Sequence, residues 1–529
     1  MTNQYQDHLT LLQQFLQNSA NRQVLRSICH GIEREGLRIT PAARLAQTAH
    51  PEALGKALTH PYITTDYSEA LLEFITPVYS RIDDTLSFLE QLHAYTCQNM
   101  SEEYLWAGSM PAYLEGDKNI PIARYGNSNI GQMKHVYREG LAHRYGKPMQ
   151  TIAGIHYNFS MPTEFWDLLP KSESDTEHEH QSAGYLVLIR NFRRYSWLLM
   201  YLFGASPVIS KSFLAENDGS KSKHGLETFD EDTLYSPYAT SLRMSDLGYT
   251  NNAQSSLNIC YNTLDNYVES LSGAIKTPYK PYEAIGLKKD GEYVQLNTNL
   301  LQIENEYYST IRPKRIARSG EKPITALRNH GVEYIEVRCL DINPFEPLGL
   351  NDTDAHFQDV FLLYCALHSH DVIDENECNE VGQNFNQVVN EGRRPGLTLR
   401  RKQQEISLKQ WGSELLSDML PVAQMLDQAN ETDQFSRSLK AQQKKVDNPD
   451  ITPSAQVLAA MKDRNVGYIE LILSLSQDHS EYFRQISLGA ERETYFQQVA
   501  ERSRTDQQAR ESADLKEFDQ FLKEYFAAD

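Results

Sequence analysis

The chain has 529 residues, 40% hydrophobic and 23% charged, which is ample for a sizeable core. Its formal net charge is −20, from 51 basic and 71 acidic residues; so acidic a surface repels nucleic-acid phosphate and anionic lipid, and neither is an expected partner. The six cysteines (Cys29, Cys97, Cys260, Cys339, Cys365 and Cys378) are widely spaced and form no CxxC pair, which argues against a disulfide framework and fits a reducing cytoplasm.

The opening stretch is polar and Gln-rich, without the apolar centre of a signal peptide. Residues 8–28 read as an amphipathic helix that leads into "GIEREGLRI", Gly31 to Ile39. In a strand, Glu33 and Glu35 share one face about 7 Å apart, and Arg34 points the other way. Two carboxylates side by side repel, so this pair needs a counter-charge. In "TTDYSEALLEFITPV", Asp66 and Glu73 are seven apart, the spacing that places two residues on one face of a helix, with Glu69 nearby. The periodicity of residues 81–104 also predicts a helix.

"YREGLAHRYG" supplies Tyr137, Arg138 and Arg144. "TIAGIHYNFSMP" alternates as a strand does, with His156, Asn158 and Ser160 on one face and Ile155, Tyr157 and Phe159 on the other. "KSESDTEHEHQSAG", Lys171 to Gly184, reads as an exposed loop whose His178 and His180 are a weak metal signal. "WLLMYLFGASPVI", from Trp197, is too short to span a bilayer and reads as a buried helix followed by a turn. "SLRMSDLGYT" brings Arg243, Asp246 and Tyr249. "LQIENEYYSTIRPKR" puts Gln302, Glu304, Glu306 and Tyr308 on one parity and Leu301, Ile303 and Asn305 on the other, followed by Arg312, Lys314, Arg315 and then Arg318. "GVEYIEVRCLDINPF" is a strand with Glu336 and Arg338 on one face. From "GRRPGLTL", Gly392 to Leu399, the style changes. Residues 396–529 read as a mainly helical region, its last helix showing Leu515, Phe518, Phe521 and Leu522 on one side.

Several strands therefore carry one chemical and one greasy face. They predict an α+β fold in which an antiparallel sheet packs helices on one side and lines a polar cavity on the other. Glu33, Glu35, Asp66, Glu73, His156 and Glu336 facing one space need compensation, and hard divalent cations such as Mg²⁺ or Mn²⁺ take such oxygen ligands. The competing reading pairs each acid with an arginine such as Arg34, Arg38 or Arg338. Arginines beside the acids suit an anionic ligand, a phosphate or carboxylate. There is no GxxxxGK[ST] loop, no GxGxxG turn, no HExxH and no zinc spacing. A metal-dependent ligase, a metal-assisted hydrolase and a metal-stabilised binding protein all fit these residues.

Taken together and in order, these motifs, with "ALTHPYITTDYSEALLEFITPV", "YLFGASP" and "PYATSLRMSDLGY", closely resemble the bacterial glutamate–cysteine ligases from about residue 20 to about 400. The resemblance implies ATP-dependent joining of the γ-carboxylate of L-glutamate to L-cysteine through γ-glutamyl phosphate, the first step of glutathione synthesis. It implies a curved sheet forming a funnel like the catalytic domain of glutamine synthetase, with residues 1–395 as the catalytic domain and 396–529 packed on it. Glu33, Glu35, Asp66, Glu73, His156 and Glu336 resemble the ligands of several Mg²⁺ ions. Tyr67, Tyr137, Gln150, Tyr249 and Tyr308 resemble the cysteine-side pocket, and Arg243 the group that meets substrate carboxylate. Arg138, Asn305 and Arg338 resemble nucleotide or phosphoryl contacts, with Arg338 and Glu336 at the chemistry. Gly36 and Tyr67 stand where relatives often have Thr and Phe. The implied partners are ATP, L-glutamate and L-cysteine, on a cytoplasmic monomer or weak oligomer.

Overall fold

The computed structural model describes residues 3–100, 102–171, 176–214, 225–248, 257, 259–317 and 321–527. Its principal sheet has seven strands: β1 (Cys29–Ile39), β2 (Ile63–Thr65), β3 (Leu71–Ile75), β4 (Tyr104–Leu105), β5 (Ile155–Ser160), β6 (Ile311–Lys314) and β7 (Tyr334–Leu340). They run in the order β6-β7-β5-β1-β3-β2, with β4 also on β1, and every pairing is antiparallel. β1 is the hub, bonded along one edge to β5 and along the other to β3.

Alternation decides what each face meets. His30, Ile32 and Arg34 of β1, Phe74 of β3 and Tyr157 of β5 point to the back. There His30 Nε2 and Tyr157 Oη each lie 2.8 Å from the Asp359 carboxylate, and the Phe74 ring packs 4.4 Å from His93. The back layer is built from helices α1 (Ile82–Asn99), α3 (Glu177–Phe203) and α4 (Asp352–Leu367). Helix α4 is buried on nearly every side because the helices Leu408–Asn430 and Gln434–Asp447 cover it from outside. Among the described residues, no helix is long and apolar enough to cross a membrane.

On the front, α2 (Asn129–Tyr145) and the segment 295–308 stand over the sheet. The last described helix, α5 (Phe518–Ala527), packs its Phe518, Phe521 and Leu522 on Met133 and Val136 of α2 and on Leu296.

Several local expectations need correction. The segment at Asp66 and Glu73 is a hairpin, not a helix: Asp66 N donates to the Leu71 carbonyl across the turn between β2 and β3. Residues 301–308 are not a strand. Their alternation is coincidental, and a short 3₁₀ turn, Glu304–Glu306, is organised instead by a buried ion pair, Arg144 Nη1 to Glu306 Oε1 at 2.9 Å. The His-rich loop ends at Thr176, whose side chain and that of Glu179 form a capping box opening α3; His180 turns inward to the Trp166 carbonyl. The C-terminal helix is two helices, Gly489–Ala513 and α5, and Leu515 in the break is 92% exposed.

Candidate active site

The register sets the acids side by side. On β1 and its neighbours, Glu35 stands directly opposite Glu73, and Glu33 opposite His156; one strand further on, Asn158 stands opposite Glu336. Cross-strand partners share a face, so these six side chains converge on the front of the sheet. His156 is the centre. Its Nδ1 lies 3.0 Å from Glu33 Oε2 and 3.7 Å from Glu336 Oε1, and its Nε2 lies 3.7 Å from Glu35 Oε1. Asn158 Nδ2 donates to Glu33 Oε1 at 3.0 Å, and Gly154 N donates to Glu35 Oε2 at 2.6 Å. Donor atoms of Glu33, Glu73 and His156 all lie within 4.8 Å of one another.

The electrostatics are those of a crowded acid cluster. Burial and the charges of Glu33, Asp66 and Glu35 push the Glu73 carboxyl well above its ordinary value. Burial raises Glu35 as well, with Asp66 adding to it. Glu336 is held well below its ordinary value because Arg338, Lys314, His156 and Arg312 outweigh its burial. Burial and Glu336 push Glu33 up, but its bond to His156, with Lys314, holds it below. The arginine-pairing reading is therefore right for one acid: Arg338 Nη1 sits 3.0 Å from Glu336 Oε2 and Lys314 Nζ 3.4 Å from Oε1. Arg38 pairs instead with Glu103, and Arg34 lies on the back of the sheet. Among the described residues no arginine or lysine is ion-paired with Glu73 or Glu35. Arg243 and Arg338 offset the charge of Glu35, and Arg338 that of Glu73, without outweighing burial and the neighbouring acids. A cluster of carboxylates and an imidazole so arranged fits hard divalent cations.

A cavity of about 360 Å³ opens against this cluster. Glu35, Asp66 and His156 reach it from the sheet side. Arg338 of β7 joins them, and the other walls carry Tyr67, Tyr137, Arg138, Gln150, Arg243, Asn305 and Tyr308. They come from several local devices. Tyr137 and Arg138 project from α2, Gln150 from the turn Pro148–Thr151, and Arg243 from the turn Leu242–Met244, which Ser241 caps. Arg138 Nε donates to the Asp66 carbonyl at 2.5 Å, and its guanidinium lies over the Tyr125 ring at 4.7 Å. The Tyr67 hydroxyl is buried and has no hydrogen-bond partner among the described residues. Tyr249 lies outside the described residues, as does Arg318.

Arg144 does not face the cavity. It is buried with Glu306, and its Nη2 donates to Gln295 and the Asn297 carbonyl. Arg315 turns to the Gly331 carbonyl. Arg312, one of the arginines the sequence offers for an anionic ligand, lines the cavity; Leu141, Tyr145, Met149 and Tyr307 line it too, and the sequence patterns do not point to them. Leu141 and Tyr145 lie three or four and seven or eight positions from Tyr137 and Arg138, a helical spacing that could have found them.

The sequence pattern of the family described as Glutamate-cysteine ligase matches residues 13–388. A glutamate–cysteine ligase of Pseudomonas fluorescens is 53% identical over 511 residues, covering 96% of this chain and 95% of that protein. One from Azotobacter vinelandii is 54% identical over 514 residues, covering 96% of each. The crystal structure of a Francisella tularensis glutamate–cysteine ligase in complex with AMP matches with a TM-score of 0.88 at 38% identity, over 95% of this chain and 98% of that one. A bifunctional glutathione synthetase from Pasteurella multocida matches at TM-score 0.71 and 25% identity, over 92% of this chain and 57% of that one. With a family pattern over most of its length, relatives above half identity and the same antiparallel architecture, the chain belongs to the glutamate–cysteine ligase family.

Proposed function

We propose that the cavity between the β-sheet and α2 is where this chain carries out its family's reaction. ATP phosphorylates the γ-carboxylate of L-glutamate, and the amine of L-cysteine displaces phosphate to give γ-glutamylcysteine, ADP and phosphate. The observation that carries the site is the convergence of six acid or imidazole groups from β1, the β2–β3 hairpin, β5 and β7 beside a cavity walled by arginines and tyrosines.

Glu33, Glu35, Asp66, Glu73, His156 and Glu336 are the residues that would hold Mg²⁺ ions, or Mn²⁺ in their place, and ions there would offset phosphate charge during phosphoryl transfer. His156 bridges Glu33 and Glu336, and Asn158 fixes the second oxygen of Glu33, so the carboxylates are oriented before any ligand arrives. Arg338, held by Glu336, and Arg138, held by the Asp66 carbonyl, place positive charge where a transferring phosphoryl group needs it, with Asn305 as a nucleotide contact. Arg243 meets a substrate carboxylate, and Tyr67, Tyr137, Gln150, Tyr249 and Tyr308 form the cysteine-side pocket. A carboxylate is a poor acyl donor, so positioning it for phosphorylation is the main task of this wall.

The same reading takes the curved sheet as a glutamine synthetase-like funnel, residues 1–395 as the catalytic domain and 396–529 as a mainly helical region packed on it. It places the enzyme in the cytoplasm as a monomer or weak oligomer. The test is ADP release with MgATP, L-glutamate and L-cysteine together, and then with each amino acid omitted. Release that needs both amino acids, with γ-glutamylcysteine as product, is the expected result. No release in any mixture would overturn the reading and leave the metal-assisted hydrolase, which needs no net ATP use, and the binding protein.

A further inference from the structure

Arg243 is 1% exposed, yet it lines the cavity, so something must hold a buried guanidinium at that wall. Asp341 lies just past the end of β7, and its carboxylate is fully engaged. Oδ2 accepts from Ala205 N at 2.9 Å and Ser206 Oγ at 2.6 Å, Oδ1 accepts from Ser241 Oγ at 3.0 Å, and Arg243 Nη1 stands 3.6 Å from Oδ1. Ser206 and Ser241 flank the turn that carries Arg243, and Ser206 Oγ also accepts from Arg243 N. One buried carboxylate thus ties down both the turn and the charge on it. On the other side, Arg243 Nη2 donates to the Arg338 carbonyl at 2.9 Å.

Gly154 completes the seat. A Cβ there would fall on the Arg243 guanidinium, on Nη2 and Cζ. The same glycine donates to Glu35 Oε2 and accepts from Glu35 N at 3.1 Å. Its backbone conformation is open to any residue, so the demand for glycine is one of space. Gly154 is therefore the joint between the acid cluster and the arginine wall.

We propose that Asp341 and Gly154 are positioning residues for Arg243, fixing where its guanidinium presents charge to a substrate carboxylate. This rests on the reading of Arg243 given above and extends it to two residues that do not touch substrate. Misplacing such a group by about 1 Å costs on the order of 100-fold in efficiency.

The experiment is steady-state kinetics of the full chain for Asp341→Asn, Gly154→Ala, Arg243→Met and the Asp341→Asn/Arg243→Met double variant, with KM measured separately for L-glutamate, L-cysteine and MgATP. Thermal melts run alongside. Expected is a roughly ten-fold or larger rise in KM for the one amino acid whose KM Arg243→Met raises, with MgATP KM moved less than about two-fold. The double variant should be no worse than Arg243→Met alone, because Asp341 acts through Arg243. If Gly154→Ala does not fold, Asp341→Asn and the double variant still decide. Indiscriminate changes in all three KM values, or a double variant with additive loss, would overturn the proposal. Arg243→Met with a raised KM beside an unmoved Asp341→Asn would overturn it alone; Arg243→Met with both amino-acid KM values unmoved would overturn the functional reading of Arg243 and the proposal with it.

Discussion

Glu73→Gln should make the protein more stable in the absence of divalent cations and less responsive to them. Glu73 shares the cluster with Glu33 and His156, one donor atom of each within 4.8 Å of the others, and burial together with the neighbouring acids raises its pKa. Two unit charges at that separation repel by about 3 kcal/mol at an effective dielectric of 20. A group whose folded pKa is raised contributes stability below its ordinary pKa and loses it as pH rises through the folded one. The advantage of Gln should accordingly be near nil around the ordinary value of 4.5 and grow with pH above it. Unfolding entropy of ~2.1 cal/mol/K per residue makes about 3 kcal/mol worth about 3 °C in a chain of this length, as an upper bound. The assay is calorimetric melting at several pH values in EDTA and in MgCl₂. In EDTA the variant should melt higher by up to that amount at alkaline pH, and MgCl₂ should raise the melting temperature of the unmodified protein more than that of the variant. A variant that melts lower in EDTA at every pH, or an equal response to MgCl₂, would refute the reasoning.

Glu33→Gln keeps the shape of that side chain but removes its charge and turns one acceptor oxygen into a donor, so turnover at saturating Mg²⁺ should fall by about 100-fold or more while the melt shifts by only a few degrees; near-normal ADP release would contradict the assignment. Gly36→Ala should destabilise by about 1–3 kcal/mol in urea titration, because a Cβ there would overlap the buried Arg34 guanidinium on the back of β1; an unchanged midpoint would show that Arg34 has room to move. Burial lowers His60 from 6.5 to about 4, and its Nδ1 accepts from the backbone N–H groups of Tyr62 and Ile63. Its stabilising contribution is present above pH 6.5 and lost as pH falls toward 4, up to about 3 kcal/mol at ~1.4 kcal/mol per pH unit. His60→Gln should flatten the acid limb of a stability–pH profile, and a limb of unchanged slope would remove His60 as its cause.

Strand periodicity made the acid cluster legible from sequence. Glu33 with Glu35, His156 with Asn158, and Glu336 with Arg338 share faces as alternation requires, because one side of each strand is apolar and must be buried. What alternation cannot supply is which strands pair and in what register, so Glu35 opposite Glu73 was not visible. The Asp66–Glu73 spacing suited a helix by chance; the turn around Ser68 that makes it a hairpin depends on Ser68 Oγ reaching the Pro121 carbonyl, far along the chain. The false strand at 301–308 has the same origin, since Glu306 is held by Arg144 and Tyr145 from α2. Asp341 and Gly154 left almost no trace in the sequence: one is a lone acid past a greasy strand, the other a lone glycine before one.

The hub position of β1 has a kinetic side. Glu33 and His156 lie 123 positions apart, and Glu336 arrives from farther still, so the cluster does not exist until long loops have closed. Repulsion among the acids then appears late on the folding route, after the register of β1, β5 and β7 is set. A cation can reward only the finished sheet, having no preformed cage to bind in the open chain. Magnesium should therefore act mainly on the rate at which the native state opens, leaving the rate of reaching it little changed.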